Sequence, residues 1–219
     1  MPKSMNDFFE NLDWSGGKPR VPRSGPGSTM SATQKLRDAL PGVFEAYNVK
    51  TFLDAPCGDW HWMQTVDLSG IEYLGFDVSH SVVAENKQYE AENIKFDTMD
   101  ITVDPLPAAD IMLCRDCLFH LKFEYRWMFF ANFLKADIPH LMTTSHFVSE
   151  NSDMRRNGKF KRFNMREAPF FFPEPLEMIL ETADELPQDL TEWHTSRHRY
   201  VGIWSREQVA AVVAEHMPS

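Results

Sequence analysis

Short apolar runs ending in an acid alternate with helical stretches along the middle of the chain. Thr51-Phe52-Leu53 closes on Asp54 and Tyr73-Leu74-Gly75-Phe76 closes on Asp77, while Ile94 to Phe96, Ile111 to Cys114 and Ile138 to Thr144 supply three further strand candidates. Residues 59–68, 79–91 and 123–135 read as helices among them. Strands separated by helical patterns of about 10–15 residues argue for a parallel sheet built from right-handed crossovers. Upstream, Leu36, Leu40, Val43, Phe44 and Tyr47 recur at spacings of three and four, predicting one amphipathic helix that Pro41 kinks or splits. Downstream, Leu176 to Thr182 and Tyr200 to Trp204 predict a closing antiparallel pair. Ser205-Arg206-Glu207-Gln208 is a capping-box opening for a last helix reaching His216. The expected fold class is α/β: a mostly parallel sheet with helices on both faces and an antiparallel C-terminal strand pair.

Length and composition narrow this picture. At roughly 150 residues per domain, 219 residues fit one domain over 31–219 preceded by a segment over 1–30. Within that segment, residues 15–29 are rich in Gly, Pro and Ser and carry Lys18, Arg20 and Arg23 without one acid, the composition of a mobile segment or lid. With a net charge of -10, from 22 Lys and Arg against 32 Asp and Glu, no general nucleic-acid-binding surface is expected, though a local basic patch is compatible with it. No apolar run near the N-terminus suggests a membrane anchor, and three cysteines, Cys57, Cys114 and Cys117, fit a reducing compartment; the expected location is cytoplasmic. Against the acidic background, a basic loop at 150–175 holds Arg155, Arg156, Lys159, Lys161, Arg162 and Arg166, followed by Phe170-Phe171-Phe172, an interface or a substrate wall.

Ligands of open α/β sheets bind at the carboxyl ends of the strands, so the residues there carry the chemistry. The first strand ends in Asp54-Ala55-Pro56-Cys57-Gly58-Asp59-Trp60, and Asp77 follows at the end of the second. A glycine-containing turn with an acid about 20 residues on holds a nucleoside: backbone approaches the ligand at the turn and the carboxylate accepts the ribose hydroxyls. The turn lacks the three-glycine spacing that places a pyrophosphate on a helix N-terminus, and Asp59 would repel one. An adenosine cofactor without phosphate fits better, which points to S-adenosylmethionine.

The chain resembles the class I S-adenosylmethionine-dependent methyltransferases over about residues 31–146 and more loosely to Trp204. The family's acid-x-Gly-x-Gly-x-Gly motif is matched at Asp54 and Gly58, with Pro56 and Trp60 in the other glycine positions. The variant Asp54-Ala-Pro-Cys-Gly-Asp-Trp60 resembles a subgroup that also carries Ser-Gly-x-Gly-Ser, here Ser24 to Ser28, and a later run, here Cys114 to Leu121. The resemblance implies a Rossmann-like sheet in which Asp77, with Val78 beside it, binds the ribose and Asp100 meets the adenine amino group. Ile101 would line the adenine, Ala55 to Trp60 would face the methionine moiety, and Arg115-Asp116 would lie nearest the transferable methyl.

The expected reaction is methyl transfer to a hydroxyl or other oxygen of a small polar acceptor, including anionic sugar, phosphate or phosphonate types. His120 is the candidate base, since imidazole titrates near neutral pH, with Asp116 four residues away to orient it. A packed histidine is the plain alternative. His146, Arg155 and Arg162 are candidate acceptor-binding residues, the arginines by charge-assisted bonds; a solvated loop is the competing reading. Asp97 and Asp104 compete with Asp100, and Asp54 and Asp77 could simply form turns. Cys114 and Cys117 read as packing residues and no metal is expected, while His194, Arg197, His198 and Arg199 read as surface polarity. Three rival functions are a non-catalytic S-adenosylmethionine-binding scaffold, an N-methyltransferase on a small amine and a nucleotide-dependent oxidoreductase.

Overall fold

The computed structural model describes residues 4–182 and 198–218, so His194 and Arg197 lie outside the described residues. Its strands are β1 Thr51–Asp54, β2 Glu72–Asp77, β3 Ile94–Thr98, β4 Ile111–Cys114, β5 His140–His146, β6 Glu177–Leu180 and β7 Arg199–Ser205. They form one sheet in the order β3-β2-β1-β4-β5-β7-β6. The first five are parallel, and β7 runs antiparallel to both β5 and β6. Strand order reverses between β1 and β4, which puts the switch point beside the turn after Asp54.

Strand residues of alternating parity go to opposite faces, and both faces are apolar. Leu53, Met112, Cys114, Leu141, Tyr200 and Trp204 pack with helices α4 (Phe123–Phe133) and α5 (Arg206–His216). Their neighbours Phe52, Ile111, Leu113, Met142, Val201 and Ile203 pack with α2 (Gln34–Ala46) and α3 (His80–Asn86). The expected helices on both faces are therefore present.

Several boundaries differ from the sequence pattern. Residues 59–68 form only a short 3₁₀ turn, Met63–Thr65, because Gly58 and Trp60 adopt left-handed backbone at φ 56° and 54°, which a helix cannot continue through. The third helix stops at Asn86, whose buried amide donates to the Gly58 carbonyl at 2.7 Å, and continues only as a 3₁₀ turn over Lys87–Tyr89. Pro41 lies inside α2 without splitting it, held by the buried stripe Leu36, Leu40, Val43 and Phe44. The run Phe170 to Phe172 is neither a free interface nor a cavity wall: Phe170 and Phe172 are buried against Trp127, Phe130 and Trp204, while Phe171 points outward. The 150–175 segment is likewise anchored by the buried residues Met154, Phe163 and Met165. Among the described residues no helix is long and apolar enough to cross a membrane.

Candidate active site

A cavity of about 720 Å³ opens at the carboxyl ends of β1, β2, β4 and β5, a volume in the range of about 300–1,000 Å³ usual for small-molecule sites. Its β1–β2 side is built by one turn. Asp77 ends β2, is buried, and accepts Gly58 N–H at 3.0 Å and Ser79 N–H at 2.9 Å, one on each carboxylate oxygen. Burial raises the Asp77 carboxyl above its ordinary value, against the two N–H donors that favour the ionised form. Gly58 suits glycine on two grounds: its φ is positive, and a Cβ there would clash with the Ser24 side chain. Ser24 in turn is latched to this turn, its N–H donating to Asp59 Oδ2 at 3.1 Å and its hydroxyl accepting Asp59 N–H at 2.9 Å.

Asp54 lies beneath, 2 % exposed, accepting the Tyr73 hydroxyl at 2.7 Å. Burial raises its pKa to about 7, opposed by that hydrogen bond and by Arg115. Asp100 lines the cavity with Ile101, and its Oδ1 accepts Thr102 N–H at 2.9 Å and Thr102 Oγ1–H at 2.6 Å. Its rivals Asp97 and Asp104 are not in the lining.

The β4 side carries a buried ionic network. Arg115 donates from Nε and Nη2 to Glu181 Oε1 at 2.9 and 2.7 Å, and from Nη2 to the Gly27 carbonyl at 2.8 Å. Arg199 Nη1 contacts both Asp116 oxygens at 3.0 and 2.9 Å, and its Nε stands 2.9 Å from Glu181 Oε2, an ion contact rather than an aligned hydrogen bond. Asp116 also accepts the Thr144 hydroxyl at 3.1 Å. Burial alone would raise the Asp116 carboxyl, but Arg115 and Arg199 hold it well below the usual carboxylate range. Gly27 sits so close that a Cβ there would lie 2.4 Å from Asp116 Oδ2.

His120 also lines the cavity, with Nδ1 2.9 Å from the Lys159 carbonyl. A carbonyl only accepts, so in the neutral ring Nδ1 carries the hydrogen and Nε2 keeps a lone pair. Burial lowers its pKa to about 4, and burial with Arg199 does the same for His146, which contacts the Phe163 backbone. Among the described residues no three His, Cys, Asp or Glu side chains are grouped to hold a metal ion.

No family model matches the chain, and no curated protein matches it in sequence. Solved structures match it in fold. Magnesium protoporphyrin IX methyltransferase (ChlM) from Synechocystis PCC 6803 with bound SAM aligns at TM-score 0.61 and 15% identity, over 92% of this chain and 94% of that one. The methyltransferase domain of bacterial CtHen1 aligns at 0.57 and 14%, over 80% and 98%. The N-methyltransferase NodS from Bradyrhizobium japonicum WM9 aligns at 0.57 and 12%, over 82% and 98%. The fold is that of the class I methyltransferases.

On this methyltransferase fold, Asp54, Pro56, Gly58, Asp77, Val78, Asp100, Ile101, Arg115, Asp116, His120, His146 and Arg162 share one cavity. Ala55, Asp59 and Trp60 do not line it. Ala55 is fully buried and Asp59 faces Ser24. Trp60 turns away into an aromatic group with Tyr73, Tyr89 and Phe96, so the residue in a family glycine position packs against the sheet rather than filling the ligand space. Arg155 is exposed and outside the lining. Asp116 makes no hydrogen bond to His120; it precedes the 3₁₀ turn Leu118–His120 with φ 52°, and its oxygens are taken by arginines and Thr144. Arg115 is likewise bound to Glu181 rather than free to meet a substrate.

Arg199 is the clearest correction: it is a cavity-lining member of the network, its side chain 13% exposed. Its position was accessible in principle, because the antiparallel register sets Arg199 opposite His146 at the same sheet end. Glu181, Trp14 and Trp62 also line the cavity, and nothing in their local sequence distinguishes them.

Proposed function

We propose that the protein transfers a methyl group from S-adenosylmethionine to a hydroxyl oxygen of a small molecule. The observation that carries this is the group of carboxylates on the β1–β3 side of the cavity: Asp54, Asp77 and Asp100 line it there, while the lining arginines Arg115 and Arg199 on the other side are paired with Glu181 and Asp116, and Arg23 with Glu85. Three carboxylates without a glycine-rich phosphate turn suit a cationic, phosphate-free nucleoside and oppose a dinucleotide. The residues fit the group well. Asp77 would accept the ribose hydroxyls on lone pairs left by Gly58 and Ser79, Asp100 would meet the adenine amino group beside Ile101, and Asp54 would face the charged methionine end.

When bound, S-adenosylmethionine supplies an electrophilic methyl on a sulfonium and departs as S-adenosylhomocysteine. The protein's part is in-line placement and exclusion of water. His120 Nε2 orients the acceptor hydroxyl; as the oxygen gains its bond to carbon, its O–H bond breaks and the proton passes to Nε2. An oxygen being alkylated is strongly acidic, so an imidazole of low basicity suffices. Residues 4–30 act as a strap over the site, with Ser24 and Gly27 tied to Asp59 and Arg115.

Thermal unfolding tests the cofactor. At 100 times its dissociation constant S-adenosylhomocysteine adds about 2.7 kcal/mol, raising the midpoint by about 5–11 °C for a chain of this size, while NAD leaves it unmoved. A shift with NAD alone would sink the reading.

Two results follow at the site. With Asp54 at about 7 in the free protein, a cationic ligand must displace its proton at lower pH. Affinity for S-adenosylmethionine therefore falls as pH drops below about 7, by up to tenfold per unit, and calorimetry from pH 6 to 8 with Asp54→Asn removes the slope. Tyr73, Cys57, Asp77 and Arg115 also face this carboxyl. Replacing His120 with Ala lowers turnover by about 5- to 150-fold, the value of one buried hydrogen bond at about 1–3 kcal/mol, with S-adenosylhomocysteine affinity unchanged. Because burial keeps His120 neutral, the wild-type dependence on this group is flat from pH 6 to 8; a rise through pH 6.5 would contradict its neutral role.

A further inference from the structure

The adenosine subsite assigned above lies at β2 and β3, so an acceptor occupies the cavity on the β4–β5 side, and that side is walled by rings. Trp14 faces His120 with centroids 4.3 Å apart and planes at 31°. Phe119 lies 4.5 Å from His120 and 5.2 Å from His146. Phe160 closes the group at 5.2 Å from Phe119 and 6.0 Å from His146. All five line the same cavity, although they come from the N-terminal strap, the turn after β4, the end of β5 and the 150–175 segment.

Ring pairs prefer centroids about 4.5–7 Å apart, in offset or edge-to-face geometry, and the wall is itself built of tilted and edge-to-face pairs of this kind. Phe160 is 58% exposed, a large aromatic left in water at the edge of a cavity that a flat ligand would cover. The charges point the same way. Both imidazoles are neutral because they are buried. Arg115 and Arg199 are matched by Glu181 and Asp116, and Arg23 donates to Ser81 and contacts Glu85. From the whole basic segment, Arg162 alone reaches the lining. A sugar would set hydroxyls against the phenyl rings of Phe119 and Phe160, which offer them no hydrogen-bonding group, and an anion would meet carboxylates that already neutralise Arg115 and Arg199.

Resting on the methyltransferase reading, we propose that the acceptor is a planar aromatic compound bearing a hydroxyl, packed against Trp14, Phe119 and Phe160 with that hydroxyl at His120. This acceptor class differs from the small polar or anionic molecule that the charge pattern of the chain suggests.

The test is calorimetry on the full chain with 2-naphthol, glucose and 2-aminoethylphosphonate as probes, each with and without saturating S-adenosylhomocysteine. The expected result is 2-naphthol binding at least tenfold more tightly than the other two. Phe160→Ala and Trp14→Ala each weaken it severalfold or more while changing S-adenosylhomocysteine affinity less than twofold. Phe160 is exposed enough that its truncation leaves the fold intact. Binding of 2-naphthol no tighter than glucose, or unaltered in both variants, overturns the proposal, and preferential 2-aminoethylphosphonate binding overturns it in favour of an anion site. The cofactor titration reads separately: ring-dependent 2-naphthol binding without S-adenosylhomocysteine binding upholds the aromatic site and defeats the methyl-transfer reading.

Discussion

Asp77→Ala is expected to reduce S-adenosylhomocysteine affinity by about two to four orders of magnitude. The wild-type carboxylate is buried, already oriented by Gly58 and Ser79 N–H groups, and belongs to the cavity lining. Two ribose hydroxyls donating to it would form charge-assisted hydrogen bonds worth about 1.5–3 kcal/mol each, or about 3–6 kcal/mol together. The alanine variant also leaves two backbone donors without their acceptor, so Asp77→Asn serves as the companion: its carbonyl oxygen keeps one of them while the charge is lost. Both variants are read by calorimetry, with circular dichroism to confirm folding. A folded Asp77→Asn that binds S-adenosylhomocysteine as tightly as wild type would remove Asp77 from the ribose role and with it the main support for an adenosine site.

The second large effect is on stability. Replacing Glu181 with Ala is expected to cost about 3–5 kcal/mol, the usual result of removing one partner from a buried ion pair, and to lower Tm by about 6–20 °C. Glu181 is fully buried as a side chain and is shared by Arg115, 4% exposed, and Arg199, 13% exposed. Without it the two guanidinium groups share Asp116 as their carboxylate partner, and Arg115 keeps only the Gly27 carbonyl besides. Glu174→Ala is the control, since its pairing with Arg166 is largely in solvent, at 67% and 36% exposure; exposed pairs contribute less than about 1 kcal/mol. The network also sets an acid limit. Asp116 is held well below the usual carboxylate range, so its contribution is complete above about pH 4 and is lost only as pH falls further. Equal, small losses for Glu181→Ala and Glu174→Ala would show that water reaches the network and screens it.

Much of this architecture is written in local patterns. Two parities of apolar residues in β1, β4, β5 and β7 require two covered faces, and the helices between the strands require crossovers, so a doubly covered sheet follows from the chain itself. The acids at the ends of β1 and β2, with Gly58 between them, are legible for the same reason: a strand end and its turn are contiguous in sequence, and their chemistry travels with the motif. Helix ends were less legible, because what stops them is a tertiary contact. Asn86, the last residue of its helix, sends its side-chain amide to the Gly58 carbonyl, and the left-handed backbone at Trp60 accompanies a ring that packs among Tyr73, Tyr89 and Phe96.

The ionic network and the ring group of this cavity were decided only in three dimensions. Arg199 is separated from Asp116 by 83 positions and Arg115 from Glu181 by 66, so a charge run read along the chain could not reveal that these four groups neutralise one another. Trp14, Phe119 and Phe160 likewise become one wall only when the N-terminal strap and the 150–175 segment converge on the turn after β4. Sequence determined the sheet and the glycine-containing turn after β1 because hydrophobic periodicity and turn chemistry act between near neighbours. Tertiary structure decided the ionic network and the aromatic wall because Coulombic pairing and ring packing act through space, between residues that the chain keeps far apart.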